Sequence, residues 1–89
     1  MGNENLSGFV LRKAAGMINL LSIDHPDKPY VNPLRINETG AEIWEMLLLG
    51  MKEEEIAGEI AKEYEIDIKE AGEDVGAFMD SLKKFGVKV

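Results

Sequence analysis

The chain has 89 residues, which is enough for one compact domain and too few for a second fold. Apolar residues make up 45% of the chain and charged residues 30%, a balance typical of a folded globular domain. Seventeen acidic residues against ten basic ones give a net charge of -7, which disfavours nucleic acids and anionic membrane surfaces as partners.

The N-terminal segment and the cysteine content bear on where the protein works. Residues 1–7 are expected to form a flexible N-terminus, with the folded domain spanning residues 8–89. The segment lacks the basic-then-apolar order of a secretion signal, and no apolar run approaches the ~20 residues that span a bilayer. The chain has no cysteine, which excludes disulfides and thiolate metal sites. We therefore expect a cytoplasmic protein.

Three short apolar runs in the first part of the chain predict β-strands, at residues 9–11, 17–23 and 34–36. Residues 13–16 are few enough to join the first two strands as a hairpin. Residues 24–33 contain three prolines among polar residues and are predicted to form a loop. The expected result is three antiparallel strands.

The apolar spacing becomes helical after Asn37, which is a good N-cap residue. Helices are predicted from about Glu38 to Leu49, from about Lys52 to Tyr64, and from Asp67 to the residue before Gly86. Their core faces are predicted to be Gly40, Ile43, Trp44 and Leu47 in the first helix, Ile56, Ala57, Ile60, Ala61 and Tyr64 in the second, and Ala71, Val75, Phe78, Leu82 and Phe85 in the third. The fold class is thus α+β: a small winged-helix-like domain with a three-stranded antiparallel sheet followed by three helices.

Few residues are candidates for catalysis. His25 is the only histidine, and with Asp24 and Asp27 it offers too few ligands for a closed metal site. The hydroxyl side chains have no base beside them in a recognisable motif, and most carboxylates fall on solvent-facing helix positions. The sequence predicts no enzyme, no metal and no cofactor.

One segment of the sequence indicates a function more specifically than the rest of the chain does. Residues 34–47 read LRINETGAEIWEML, and this resembles the L-N-E-T-G/A-x-x-I-W-x-L signature of the PqqD-like family, named after pyrroloquinoline quinone synthesis protein D. Residues 9–12 resemble the opening strand of that family, and residues 73–86 resemble its third helix. The resemblance covers roughly Gly8 to Val87 and keeps the order and spacing of the motifs.

The resemblance implies a non-catalytic recognition element that binds the leader of a ribosomally made precursor peptide. The peptide would lie as an added strand beside the third strand, near the third helix, and would be presented to a modifying enzyme, often a radical SAM protein. The edge strand that pairs with the peptide is then expected to be Leu34, Arg35, Ile36 and Asn37. Phe78, Met79 and Leu82 are expected to form an apolar wall beside it, with Asp74 and Lys83 as its polar rims.

Two of these assignments have alternatives in the sequence. Phe78 and Leu82 lie at core spacing, which favours packing over peptide contact for these two side chains, although one residue can do both. Arg35 is either a solvated strand charge or a contact to an acidic residue of the leader.

The apolar corner formed by Leu48, Leu49 and Met51 is too large to be buried on one helix face. We interpret it as a docking surface for the maturation enzyme or for a second copy in a homodimer. The alternative functions are a winged-helix nucleic-acid binder, which the acidic charge disfavours, and a general protein-interaction or dimerisation module.

Overall fold

A three-stranded antiparallel sheet is followed by three helices in the computed structural model of the chain, which describes Leu6, residues 8–22 and residues 33–89. The α+β class and the order of elements agree with the prediction. Within the described residues, no helix is both long and apolar enough to cross a membrane. The elements are β1 (Phe9–Ala14), β2 (Met17–Ser22), β3 (Leu34–Ile36), α1 (Glu38–Leu48), α2 (Glu53–Tyr64) and α3 (Ile68–Phe85).

Several predictions concern residues outside those described. They are the flexible state of residues 1–5 and 7, the end of the second strand at Ile23, the loop up to residue 32, and the His25 group with its two aspartates. Leu6 is described, and its side chain is fully buried in the core. The packed domain therefore includes Leu6 and does not begin at residue 8.

The hairpin between β1 and β2 is tighter than predicted. The strands extend to Ala14 and Met17, so only Ala15 and Gly16 form the turn. Both turn residues have positive φ, 52° for Ala15 and 76° for Gly16, as in the two-residue turns that match the twist of paired strands. Gly16 adopts this conformation readily because it has no β-carbon.

The register of the sheet separates an inner face from an outer face. Leu20 lies opposite both Leu11 and Leu34, and Ile18 lies opposite Ile36. Leu20 and Ile18 are buried, so this set of side chains faces the helices. Because side chains alternate along a strand, the residues between them face away from the helices.

Local hydrogen bonds define the ends of the helices. The Gly40 amide donates to Asn37 Oδ1 at 2.7 Å, which confirms Asn37 as the N-cap of α1. At the start of α2, Lys52 is the N-cap, and its amide donates to Glu55 Oε1 at 2.9 Å. A lysine side chain cannot accept the reciprocal bond. Gly50 follows α1 and Gly86 follows α3, and both have positive φ, 85° and 110°.

The core lies between the inner sheet face and the three helices. Trp44 is 1% exposed and contacts Phe9 edge to face, with ring centroids 6.3 Å apart. The prediction that Tyr64 is buried is wrong: its side chain is 41% exposed. Its hydroxyl lies at the surface and donates to Glu42 Oε1 at 2.8 Å, so α2 is joined to α1 by a polar contact at this position.

Candidate functional site

β3 is a border strand. The strand order is β1-β2-β3, so β3 pairs with β2 on one side, and no described strand pairs with its other side. Among the helices, β3 packs mainly against α1. Within the described residues, the main-chain N–H and C=O groups on its outer side have no strand partner, which is the arrangement that an added extended chain would use.

A cavity of about 370 Å³ opens beyond the end of β3, between the start of α1 and the middle of α3. We call it the α1–α3 cavity. This volume is within the range of sites that hold a small ligand or a few side chains. Its lining combines apolar and polar side chains, with Asn37, Thr39, Gly40 and Ile43 on one side and Asp74, Ala77, Phe78 and Ser81 on the other.

Helical periodicity explains which α3 residues face the α1–α3 cavity. Asp74, Ala77 and Ser81 are three and four residues apart and share one helix face, and Phe78 lies beside them. Phe78 is half-buried: its ring packs on the core and also lines the cavity. The packing role is therefore present, and contact with a peptide stays a prediction.

Three other predicted contacts on α3 lie elsewhere. Leu82 is 0% exposed and Met79 is 8% exposed, and both side chains belong to the core. Of the three residues predicted to form the apolar wall, only Phe78 lines the α1–α3 cavity. Lys83 is exposed and lies nine residues after Asp74, which places it about half a turn around the helix. It does not line the cavity.

Sequence reasoning missed several residues that line the cavity. Thr39 and Gly40 are part of the family signature, and Gly40 also shares a helix face with Ile43. Ala77 and Ser81 are small, and small side chains carry no hydrophobic periodicity. Their spacing from Asp74, three and seven residues, was the one available signal. The Ser81 hydroxyl donates to the Ala77 carbonyl at 3.2 Å, which leaves its oxygen free to accept a bond.

The edge-strand residues divide between the two faces of the sheet. Leu34 and Ile36 are half-buried and face the helices, whereas Arg35 is exposed on the outer face. Arg35 also borders a second, larger concavity of about 890 Å³ at the hairpin end of the sheet. We call it the hairpin-end concavity. Asn37 lines this concavity as well as the α1–α3 cavity, so it lies between the two.

The apolar corner after α1 is only partly exposed. Leu49 is 72% exposed and Leu48 is 40% exposed. Met51 is half-buried and packs against the core, as does Met46. The Met51 amide donates to the Met46 carbonyl at 3.1 Å, in the hydrogen-bond pattern of a Schellman helix end that brings these two side chains together. Met51 therefore has a structural role that Leu49 lacks.

Two side chains with shifted pKa values lie on α2, outside the cavity lining. The pKa of Glu63 is raised, first by a hydrogen bond with the Glu42 carboxyl and then by desolvation and the negative charges of Glu42 and Glu59. For Tyr64, the hydrogen bond with Thr39 lowers the pKa, but the bond to Glu42, desolvation and the nearby carboxylates together raise it. Both groups are at the surface, so they form an acidic contact between α1 and α2.

No group of three or more histidine, cysteine or carboxylate side chains comes together as a metal site in the described part of the chain. What the α1–α3 cavity offers is a mixture of an aromatic ring, hydrogen-bonding groups and one carboxylate, beside an open strand edge. This combination suits binding of an extended chain, with main-chain bonds at the edge and side chains in the cavity.

Comparison with known proteins supports this description of the fold. A solved structure described as TbiB1 in complex with the TbiA(beta) leader peptide superposes with a TM-score of 0.72 and 21% identity, covering 97% of this chain and 91% of that one. A lasso peptide synthetase B1 complexed with the leader peptide superposes with a TM-score of 0.73 and 24% identity, covering 92% of this chain and 91% of that one.

Sequence comparison identifies the family. No curated protein matches the chain significantly. The family model of coenzyme PQQ synthesis protein D matches residues 25–87, which is more than half of the chain and includes the NETG segment (residues 37–40), α1, α2 and α3. The chain therefore belongs to the PqqD family.

Proposed function

We propose that this protein is a non-catalytic recognition element. It binds the leader of a ribosomally made precursor peptide as a fourth strand beside β3 and presents the peptide to a modifying enzyme. The observation that carries the proposal is the open outer side of β3 next to the α1–α3 cavity. Both structural neighbours were solved with leader peptides, and membership of the PqqD family agrees with this role.

Strand addition gives affinity and selectivity from different parts of the site. The main chain of the peptide pairs with the main chain of Leu34–Ile36, which does not depend on sequence. Every second peptide side chain then points toward the helices, where the Phe78 ring offers apolar contact and Asp74 offers a charge. Selectivity comes from these inward-facing side chains.

The peptide is expected to be disordered before it binds. Ordering such a segment opposes binding by about 2 to 5 kcal/mol, so a short strand alone gives a modest affinity. Side-chain burial in the α1–α3 cavity, at about 25 cal/mol per Å² of apolar surface, supplies the remainder of the binding free energy. We therefore expect substitutions in the cavity to change affinity as strongly as substitutions in β3.

The partner that uses the bound peptide is a maturation enzyme, and a radical SAM protein is the candidate that the family suggests. We propose that it docks on the corner formed by Leu48 and Leu49, because these two apolar side chains are exposed and the structure gives them no packing role. Homodimerisation through the same corner is the competing outcome. Met51 contributes mainly to the fold.

A displayed library of random dodecapeptides provides a probe. Peptides enriched on the immobilised protein are titrated into ¹⁵N-labelled protein, and we expect amide shifts at residues 34–37 and 74–81, with little change in α2. The strand mechanism is then tested by N-methylation of alternate peptide residues. Only one edge of the added strand pairs with β3, so methylation in one phase should abolish binding and methylation in the other should be tolerated.

The N-methylation series has clear adverse outcomes. Equal tolerance of both phases would show that no ladder forms. Shifts confined to α2, or to Leu48 and Leu49, would place the peptide on another surface. A matched control uses the substitution Ser81→Leu, which fills the α1–α3 cavity and leaves β3 intact; it should weaken binding without changing which phase is tolerated.

A further inference from the structure

The register of the sheet aligns two arginines on its outer face. Arg35 in β3 lies opposite Asn19 in β2, and Asn19 lies opposite Arg12 in β1. Both arginines are exposed. They occupy the two borders of the sheet, about 10 Å apart with one strand between them. A chain added beside β3 would place its own residue next to Arg35 in this row.

The described strands carry only positive charge. Their ionisable residues are Arg12, Lys13 and Arg35, whereas every described carboxylate lies at Glu38 or later, in or beside the helices. The Arg35 side chain thus has no carboxylate opposite it within the described sheet. Opposite charges on directly opposing strand residues attract, and like charges repel. The vacant position next to Arg35 is therefore suited to an acidic side chain.

The neighbours of Arg35 specify the residues on either side. Leu34 and Ile36 face the helices and are half-buried. The peptide residues beside them therefore face the helices too, where apolar contact is available. This alternation is the same whether the peptide runs parallel or antiparallel to β3, because side chains alternate with a period of two in either case.

We propose that the peptide bound beside β3 carries an aspartate or glutamate next to Arg35, between two residues that face the helices. The inference rests on the proposed function and adds the chemical pattern of the ligand. An acidic residue that faces outward lies between two apolar residues that face the helices. The hairpin-end concavity gives the carboxylate room, and it brings Lys13 as a second cation along with Glu38, a carboxylate at the start of α1. The arginine favours a carboxylate because its planar guanidinium forms two parallel hydrogen bonds with one.

The test compares three proteins in the same dodecapeptide selection. The parent protein should enrich peptides with an acidic residue between two apolar ones. The charge reversal Arg35→Glu should change the preference at that position to lysine or arginine. The matched control Arg12→Glu makes the same charge change in the same row at the opposite border, and should leave the preference unchanged.

A charge swap on one enriched peptide measures the contact directly. Replacing its central acidic residue by lysine should weaken binding to the parent protein by about five- to tenfold, because an attraction becomes a repulsion. The same lysine peptide should recover most of that loss on the Arg35→Glu protein. Recovery on Arg12→Glu instead would place the peptide at the β1 border and would overturn the inference.

The outcomes separate this inference from the proposed function. Peptides that shift the amides of residues 34–36 but show no acidic preference, and no response to Arg35→Glu, overturn the inference and leave the proposed function intact. A selection on the parent protein that yields no peptide contacting β3 counts against the proposed function, and the inference fails with it. An equal response to Arg35→Glu and Arg12→Glu would reveal a general charge effect, which also overturns the inference.

Discussion

Gly40 lies directly against the ring of Phe78. A β-carbon built at position 40 would be 2.8 Å from Phe78 Cε1 and 3.2 Å from Asn37 Oδ1, closer than unstrained contacts allow. The missing side chain of Gly40 therefore permits the first turn of α1 to approach α3, and it fixes where the Phe78 ring can lie. Because both residues line the α1–α3 cavity, this contact sets the shape of the candidate site.

Replacing Gly40 by alanine is expected to weaken peptide binding while the protein stays folded. The new methyl group must displace the Phe78 ring, and an off-rotamer side chain costs of order 0.5 to 1.5 kcal/mol, so affinity should fall roughly two- to tenfold. Isothermal titration with an enriched dodecapeptide measures the change.

The matched control for Gly40→Ala is Gly72→Ala in α3, where an added β-carbon meets nothing within 4 Å. It should leave affinity unchanged and stabilise the helix by about 1 kcal/mol. Equal affinities for the parent and Gly40→Ala proteins would show that the ring position does not matter for binding.

Glu65 provides a test of backbone conformation at the end of α2. It has φ of 52° and ψ of 46°, a left-handed conformation that disfavours residues with a β-carbon. The substitution Glu65→Gly should therefore raise the free energy of unfolding by about 1 kcal/mol. Urea denaturation provides the measurement.

The control for this change lies three residues earlier. Lys62→Gly is in the last turn of the same helix, in ordinary helical backbone, and should lower the free energy of unfolding by about 1 kcal/mol. Opposite signs for the two substitutions support the left-handed C-terminal residue. A loss of stability in both variants would contradict it.

The helix ends were predictable because single residues determine them. Asn37 and Asp67 cap the starts of α1 and α3, and Gly50 and Gly86 end these helices with positive φ. Tyr64 was mispredicted for a physical reason: helical spacing identifies a face but does not say how far along the helix the core extends. A tyrosine at the last turn can place its ring at the rim and its hydroxyl in water.

The candidate site was only partly predictable. β3 and the NETG segment (residues 37–40) carry the family signature, and of the predicted edge residues Asn37 lines the α1–α3 cavity. Which α3 residues face that cavity depends on the rotation of the helix, and a shift of one residue exchanges Phe78 for Met79. Leu6 gave no signal at all, since it is a single apolar residue in a polar segment and its burial arises from tertiary packing alone.

The Glu42–Glu63 contact predicts a pH dependence of stability. The pKa of Glu63 is raised above its usual value of 4.5 in the folded protein, so the folded state holds this proton more tightly than the unfolded chain. The contribution of the protonated Glu63 carboxyl to the stability of the fold is complete below pH ~4 and is lost as the pH rises through the pKa of the folded state. The substitution Glu63→Gln removes this ionisation. The difference in stability between the variant and the parent protein should therefore be more favourable to the variant at pH 7 than at pH 4.

Thermal unfolding of the parent and variant proteins across pH 4 to 7 measures this difference. The matched control Glu73→Gln makes the same change at an exposed position of α3. A stability difference between Glu63→Gln and the parent protein that does not vary with pH would contradict the pairing of Glu63 with Glu42. A variation of the same size in Glu73→Gln would assign the effect to net charge, since the protein carries -7 overall.

Leu49 and Leu47 are two residues apart and have opposite environments. Substitutions at these two positions therefore distinguish an effect on partner docking from an effect on folding. Leu47 is 4% exposed in the core, whereas Leu49 is 72% exposed. Leu47→Ser should lower the free energy of unfolding by about 2 to 5 kcal/mol, and Leu49→Ser should change it by no more than about 0.5 kcal/mol. If the corner docks a partner, Leu49→Ser should nevertheless weaken association, either with the maturation enzyme or with a second copy as measured by sedimentation equilibrium. Ile68→Ser removes another exposed apolar side chain, at the start of α3, and is the control for general loss of surface hydrophobicity. A Leu49→Ser protein that binds the enzyme and self-associates as the parent does would remove the case for docking at this corner.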